Sequence, residues 1–187
     1  MSRWSGTLSL YEHRNGFATH DPETVSYDVG RGEAHFGPVE FDGHALEWRL
    51  EPGDVAHPDA LLAHAVVLDG SDDWIARCDR IDFPPGGIAY THTHPGPGIR
   101  YLLEGAVTIR SEGETTGYEA GEPWFEGGPE PVHATAALDR DSAFVRVLLL
   151  PAEWTGKRTI RYVDPDDEQK PKLQRPTVFF DRPISRR

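Results

Sequence analysis

Two histidines separated by one residue, His92 and His94, stand in the stretch YTHTHPGPGIRYLLEG, residues 90–105. Side chains alternate between the two faces of a β-strand, so we expect Tyr90, His92 and His94 to project in the same direction. Two imidazoles placed in this way can bind one metal ion if their strand faces the inside of a barrel. Neutral imidazole nitrogens suit iron, zinc, copper or nickel better than magnesium or calcium.

A third metal ligand must come from another strand. His133 is the natural candidate, because it follows a Gly/Pro-rich turn in GEPWFEGGPEPVHATA. The remaining histidines have no ligand spacing between them and are interpreted as surface or structural residues: His13, His20, His35, His44, His57 and His64.

The elements around these histidines are predicted to be short β-strands. The chain has 19 Gly and 16 Pro among its 187 residues, a content that disfavours long helices. Apolar runs alternate with turn clusters every 8–12 residues or so, which indicates a β-sandwich or β-barrel. The main predicted strands are residues 44–50, 63–68, 74–83, 88–94, 99–103, 106–110, 115–118, 123–126, 132–137 and 143–150.

Residues 87–105 and 121–133 resemble the two sequence motifs of the cupin superfamily. In the first motif His92 and His94 match, and Gly105 closes it in a Leu-Glu-Gly turn. In the second, Gly121 and His133 match, with one extra residue in the turn and Ala137 in place of the family's Asn. The resemblance implies an all-β, cupin-type jelly-roll barrel with a metal bound inside by His92, His94 and His133.

The chain departs from the cupin pattern at the carboxylate ligand, because Gly98 stands where the family has Glu. One reading is a site with three histidine ligands and open positions on the metal. A second reading places Glu126 in the role of the carboxylate. In a third reading metal binding is weak or absent, and the barrel is a receptor for a small molecule.

Two more residues are candidates for catalysis. If Gly98 faces inward, the two-residue period places Arg100 inward as well, where its guanidinium could bind a substrate carboxylate. An ion pair between Arg100 and a barrel glutamate, Glu104 or Glu126, is the structural alternative. Tyr90 could donate a hydrogen bond to bound substrate or oxygen, or could be a core aromatic residue.

We predict one domain over residues 1–187, in line with the chain length. Residues 1–62 are interpreted as an N-terminal arm with the first strands, 63–150 as the cupin barrel core, and 151–187 as an extension packed on the barrel. Such an arm and extension would cover the open edges of the barrel sheets.

The net charge of −12 disfavours nucleic acid and anionic membrane surfaces as partners. Cys78 is the only cysteine, which is compatible with a reducing compartment, and no signal peptide or apolar span is evident, so we expect a cytoplasmic protein. The cupin resemblance alone implies a homodimer.

The predicted function is that of a metal-binding enzyme with a single cupin barrel. The resemblance favours an Fe(II)-dependent dioxygenase that acts on a small carboxylate- or enolate-bearing molecule, with Zn, Ni or Mn as alternative metals. Two further hypotheses stay open: a non-enzymatic module that binds a small molecule, and a zinc-dependent lyase or isomerase.

Overall fold

A computed structural model describes residues 3–55, 57–69 and 73–185 of the chain. Within these ranges the regular structure is seventeen strands and two short 3₁₀ helices, Ala152–Trp154 and Pro165–Gln169. Neither helix could cross a membrane, since both are too short. The strands are β1 (Arg3–His13), β2 (Phe17–Thr19), β3 (Val25–Asp28), β4 (Glu33–Phe36), β5 (Val39–Phe41), β6 (Ala45–Pro52), β7 (Leu62–Asp69), β8 (Trp74–Phe83), β9 (Ile88–Thr93), β10 (Gly98–Glu104), β11 (Ala106–Ser111), β12 (Glu114–Glu119), β13 (Pro123–Glu126), β14 (Val132–Ala136), β15 (Ser142–Pro151), β16 (Arg161–Tyr162) and β17 (Arg175–Ile184).

Three five-stranded antiparallel sheets contain fifteen of these strands. The N-terminal sheet has the order β4-β3-β6-β1-β7, the central sheet β13-β10-β15-β8-β17, and the far sheet β12-β11-β14-β9-β16. Strands β2 and β5 form a separate pair.

Strands β8 to β15 form a jelly-roll barrel. The first of these eight strands pairs with the last, β8 with β15, and the pairing continues inward as β9 with β14, β10 with β13 and β11 with β12. This nested antiparallel connectivity is that of a jelly roll made from two sheets. The all-β jelly-roll prediction is therefore confirmed by the strand order itself.

The N-terminal region is a sheet rather than an extended arm. Its sequence is only weakly periodic, but the eleven-residue strand β1 pairs along most of its length with both β6 and β7. Strand β7, predicted as the beginning of the barrel core, thus belongs to this sheet. The sheet packs on the outer face of the central sheet, where Leu10 and Trp48 meet Val145 and Val147 in one apolar cluster. The indole of Trp48 also donates a 3.3 Å hydrogen bond to the Ile99 carbonyl.

The inside of the barrel has its own apolar cluster, which lies between the central and far sheets. Phe83, Leu102 and Phe144 from the central sheet pack there with Val107 and Ile109 from the far sheet. The C-terminal residues add one strand to each of the two barrel sheets, with β16 beside β9 in the far sheet and β17 beside β8 in the central sheet. Both added strands extend the walls of the barrel.

Candidate functional site

A cavity of about 470 Å³ lies inside the barrel. Much of its wall is apolar and comes from both sheets, with Phe83, Phe144 and Trp124 on the central sheet and Ile109 and Val132 on the far sheet. The volume is in the range that holds a small organic molecule. The polar side chains that reach this cavity from the barrel strands and their turns are Arg77, Asp79, His92, His94, Glu126 and Arg146.

His92 and His94 meet at the cavity, as predicted from their spacing. Both are buried, and their Nε2 atoms lie 3.2 Å apart. The Nδ1 atom of His92 lies 2.7 Å from the Tyr90 carbonyl and must donate to it, which leaves Nε2 of His92 as an unprotonated acceptor in the neutral ring. The Nε2 atom of His94 faces Arg146 Nη1 at 3.3 Å and accepts from it, because a guanidinium can only donate. Two nitrogen lone pairs therefore converge on one point.

Burial keeps both imidazoles neutral. It lowers the pKa of His92, and it lowers the pKa of His94 well below the ordinary value, where the nearby Arg146 and Arg100 guanidinium groups act in the same direction. A neutral imidazole is the form that binds a metal ion.

Arg146 and Asp79 form a buried ion pair beside the histidines. They are cross-strand partners in β15 and β8. The guanidinium donates from Nε to Oδ1 at 2.6 Å and from Nη2 to Oδ2 at 3.0 Å, which is a bidentate contact. The apolar run FVRVLLL around Arg146 predicts a position on the outer face of the barrel or at its rim, and this expectation is wrong, since Arg146 lines the cavity. The signal was present in the alternation of β15, where Phe144, Arg146 and Leu148 occupy one face.

Arg100 and Glu126 form a second buried ion pair. Arg100 has no exposed surface, and its Nη2 lies 2.7 Å from Glu126 Oε2, while Nη1 donates to the Gly98 carbonyl at 2.7 Å. Burial lowers the pKa of Arg100 to about 10, although Glu126 opposes this shift. Arg100 is not among the residues that line the cavity. The predicted orientation of Arg100 is found, with the structural ion pair in place of a free guanidinium.

Glu126 is the carboxylate nearest to the histidine pair among the ion pairs of the described residues. Its Oε2 atom lies 3.8 Å from His94 Nε2, and its Oε1 accepts a hydrogen bond from the Trp124 indole at 2.8 Å. Glu104, in contrast, pairs with Arg80 on the surface. Of the two glutamates considered from the sequence, only Glu126 reaches the cavity.

His133 does not join His92 and His94. In β14, Val132, Ala134 and Ala136 are buried toward the barrel interior, so the alternation turns His133 to the opposite face. There it is half-buried beside its cross-strand neighbour Arg110. Across residues 3–55, 57–69 and 73–185, no group of three His, Cys, Asp or Glu side chains is arranged to hold a metal ion. The predicted three-histidine set is not assembled.

Tyr90 also lies away from the cavity, because a β-bulge changes the alternation of β9. His92 pairs with Val132 and Ala89 with Ala134, so one extra residue is accommodated between them. Ala89 and His92 both line the cavity, whereas the ring of Tyr90 is turned out and lies 4.8 Å below the ammonium of Lys170. The expectation that Tyr90 shares the face of the histidines is wrong for this reason.

Where the cupin motif has its carboxylate ligand, this chain has a glycine and also no space for a side chain. A Cβ atom built on Gly98 would lie 2.3 Å from the Val147 carbonyl oxygen and 2.8 Å from a methyl group of Leu148. Strands β10 and β15 approach each other too closely there for any side chain. The closing Gly105 has a similar role in the turn after β10, with φ of +76° and Ser142 against it.

No family model matches this chain, and no curated protein matches it. The solved structures to which it is similar include cupin proteins. A salicylate 1,2-dioxygenase variant from Pseudoaminobacter salicylatoxidans in complex with gentisate is 12% identical, with a TM-score of 0.44, over 94% of this chain and 69% of that one. An RmlC-like cupin from Shewanella frigidimarina is 19% identical, with a TM-score of 0.38, over 42% and 68%. The polyketide cyclase RemF from Streptomyces resistomycificus is 22% identical, with a TM-score of 0.40, over 55% and 72%.

Proposed function

We propose that the barrel binds a small organic molecule in its cavity, beside a divalent transition metal held by His92 and His94. The observation that carries this proposal is the approach of the two Nε2 atoms to 3.2 Å; with the tautomers assigned from the Tyr90 and Arg146 contacts, no donor hydrogen lies between them. Lone pairs in this arrangement repel each other, and a cation between them removes the repulsion.

Glu126 is the proposed third ligand, although the three side chains are not arranged around a common point in this structure, so its carboxylate must turn away from Arg100 when a metal binds. Its Oε2 atom is 3.8 Å from His94 Nε2 and faces the cavity. Two imidazoles with one carboxylate are the donor set of non-haem Fe(II) oxygenases, and zinc, nickel or manganese also accept such donors. An iron ion bound there would supply Lewis acidity and redox chemistry with dioxygen. We therefore propose an Fe(II)-type dioxygenase, with His133 outside the site.

Arg146 is the residue that we propose to orient the substrate, in place of Arg100 and Tyr90. Its Nη1 atom donates a hydrogen bond to His94 Nε2, and this bond must break if that nitrogen binds a metal ion. The other edge of the guanidinium stays bound to Asp79 through two hydrogen bonds. Nη1 is then free to donate to a carboxylate or enolate oxygen of the substrate, while Phe83 and Phe144 contact its apolar part.

Metal analysis of untagged protein tests the site. We expect about one equivalent of metal in the wild-type protein after anaerobic loading with Fe(II), and a loss of roughly tenfold or more in Fe(II) affinity for His92→Ala, since one of few ligands is removed. His133→Ala is the matched control and should bind Fe(II) like the wild type. Full Fe(II) affinity in His92→Ala would contradict the proposed site, and an equal loss in His133→Ala would restore the three-histidine reading.

A non-enzymatic binding module is the second candidate function. The observation in its favour is that two of the three proposed ligands already have cationic partners, Arg146 for His94 and Arg100 for Glu126. Oxygen uptake by iron-loaded protein over a panel of small carboxylates and enols separates the two functions. Ligand binding without oxygen uptake or product supports the module, whereas turnover without oxygen by the zinc form indicates a lyase or isomerase.

A further inference from the structure

The mouth of the cavity is built by a segment near the C-terminus, residues 156–178, which we call the closing segment. It contributes Lys157, Arg158, Tyr162 and Lys172 to the cavity wall. Strand β16, inside this segment, pairs with the histidine-bearing strand β9. The closing segment therefore brings several cations to the same cavity that the histidine pair faces.

Two of the cations at this cavity are neutralised by carboxylates. Arg77 donates from Nε and Nη2 to both oxygens of Asp181, at 2.6 and 2.7 Å. Arg158 makes the same kind of contact with Glu168, at 2.6 and 2.8 Å. These two guanidinium groups have little charge left to offer to a ligand.

Lys157 and Lys172 have no ion pair with a carboxylate within the described residues. The ammonium of Lys172 is nevertheless held in place. It donates to the backbone carbonyls of Asp167 and Lys170 and lies 4.4 Å above the ring of Tyr162. Carbonyl groups and a ring face fix the position of a cation without forming a salt bridge, and the carboxylate that acts on Lys172, Glu168, is exposed and already paired with Arg158.

We propose that the ligand of this cavity is an organic anion, with an apolar body inside the barrel and a carboxylate that pairs with Lys172 at the mouth, separate from the oxygen that Arg146 would orient. This inference rests on the proposed binding of a small molecule in the cavity, and it does not need the metal. The chain carries a net charge of −12, so a lysine without a salt bridge in the cavity wall is a local reversal of sign. Such a reversal attracts and orients anions.

Isothermal titration calorimetry with a matched pair of probes tests the charge preference. The probes are 4-phenylbutyrate and its neutral amide, 4-phenylbutanamide, which have nearly the same size and apolar surface. We expect the wild-type protein to bind the acid about tenfold more tightly than the amide at low salt, and the ratio to fall as salt is added. In Lys172→Met the ratio should fall to about twofold, with the affinity for the amide unchanged.

Lys170→Met is the control, because Lys170 lies in the same segment but pairs with Asp167 and does not line the cavity. It should keep the wild-type ratio. Lys172→Gln, which keeps a polar group that can donate hydrogen bonds, provides a second variant if Lys172→Met loosens the closing segment. Equal affinity for the two probes, or no binding of either, overturns this inference. Fe(II) binding measured in the same samples reports separately on the metal site, so either proposal can fail alone.

Discussion

The two faces of the central sheet differ sharply, although the same strands form both. On the face toward the N-terminal sheet, Cys78 and Val147 are cross-strand partners in an apolar cluster. One residue further along, Asp79 and Arg146 are partners on the face toward the cavity. The apolar face contributes to the stability of the fold. Buried ion pairs contribute little net stability after desolvation, so their presence on the second face points to a role in binding.

The largest expected effect comes from breaking the buried ion pair between Asp79 and Arg146. In Asp79→Leu, the guanidinium of Arg146 loses its bidentate partner while it stays buried. We expect a loss of about 4 kcal/mol in the free energy of unfolding, measured by urea denaturation. The double variant with Arg146→Met removes both charges and should recover most of this loss.

The apolar face supplies the control for that comparison. Val147→Ala removes two methyl groups from the opposite side of the same strand pair and should cost about 2 kcal/mol. It should leave the affinity of the cavity for 4-phenylbutyrate unchanged. If the double variant is as unstable as Asp79→Leu alone, the charged face stabilises the barrel in its own right and the contrast between the faces fails.

A smaller effect is expected where the central sheet has no room for a side chain. Gly98→Ala places a Cβ atom against the Val147 carbonyl, and we expect it to cost about 2 kcal/mol by overpacking, less than the loss of Asp79. Gly117→Ala is the matched control in β12, where nothing lies within 4 Å of a new Cβ. Thermal unfolding of the pair measures the difference. Equal melting temperatures would show that β10 and β15 can move apart.

The smallest expected effect is a pH-dependent change in the stability of the fold, caused by a carboxyl group in the edge strand β17. Burial raises the pKa of Asp181, but the hydrogen bonds from Arg77 and from the Gly156 backbone N–H outweigh it and lower the pKa overall. Because the pKa of Asp181 is lower in the folded state, its carboxylate stabilises the fold at pH values above the unfolded pKa of about 3.9. This contribution is lost as the pH falls through the folded pKa.

We therefore expect Asp181→Asn to be less stable than the wild type by about 1 kcal/mol at pH 7, with the difference shrinking below about pH 4. Urea titrations between pH 3 and 7 measure it. Glu168→Gln, at an exposed pair, should leave the stability nearly unchanged. A difference for Asp181→Asn that stays constant down to pH 3 would show that its charge is not what matters.

The fold was predictable from the sequence because its signals are local. Turn residues at short intervals and apolar alternation gave the strands β8 to β15, and the spacing of His92 and His94 gave the histidine pair. The N-terminal sheet was harder to predict. Its sequence is weakly periodic, and its strands are stabilised by pairing across distances such as β1 with β7, which no local window contains.

The orientation of single side chains could not be predicted, since it depends on register. One extra residue in β9 turned Tyr90 outward, and the alternation of β14 turned His133 away. Arg146 lies in the apolar run FVRVLLL and was expected on the outer face or at the rim. It faces inward because Asp79, 67 positions earlier in the chain, is opposite it. A charged residue inside an apolar strand requires a partner that only the tertiary structure identifies.

The pairing of β17 with β8 has a consequence for how the protein is made. Strand β8 ends at Phe83, whereas β17 spans Arg175–Ile184, so about a hundred residues separate the two partners. At a synthesis rate of about 5–20 residues per second, the ribosome delivers β17 roughly 5–20 s after β8. Until β17 arrives, β8 keeps an unpaired edge, and the barrel that β15 completes still has an uncovered mouth. The part of the chain that creates the mouth of the cavity also ends the period in which the protein is most exposed to aggregation.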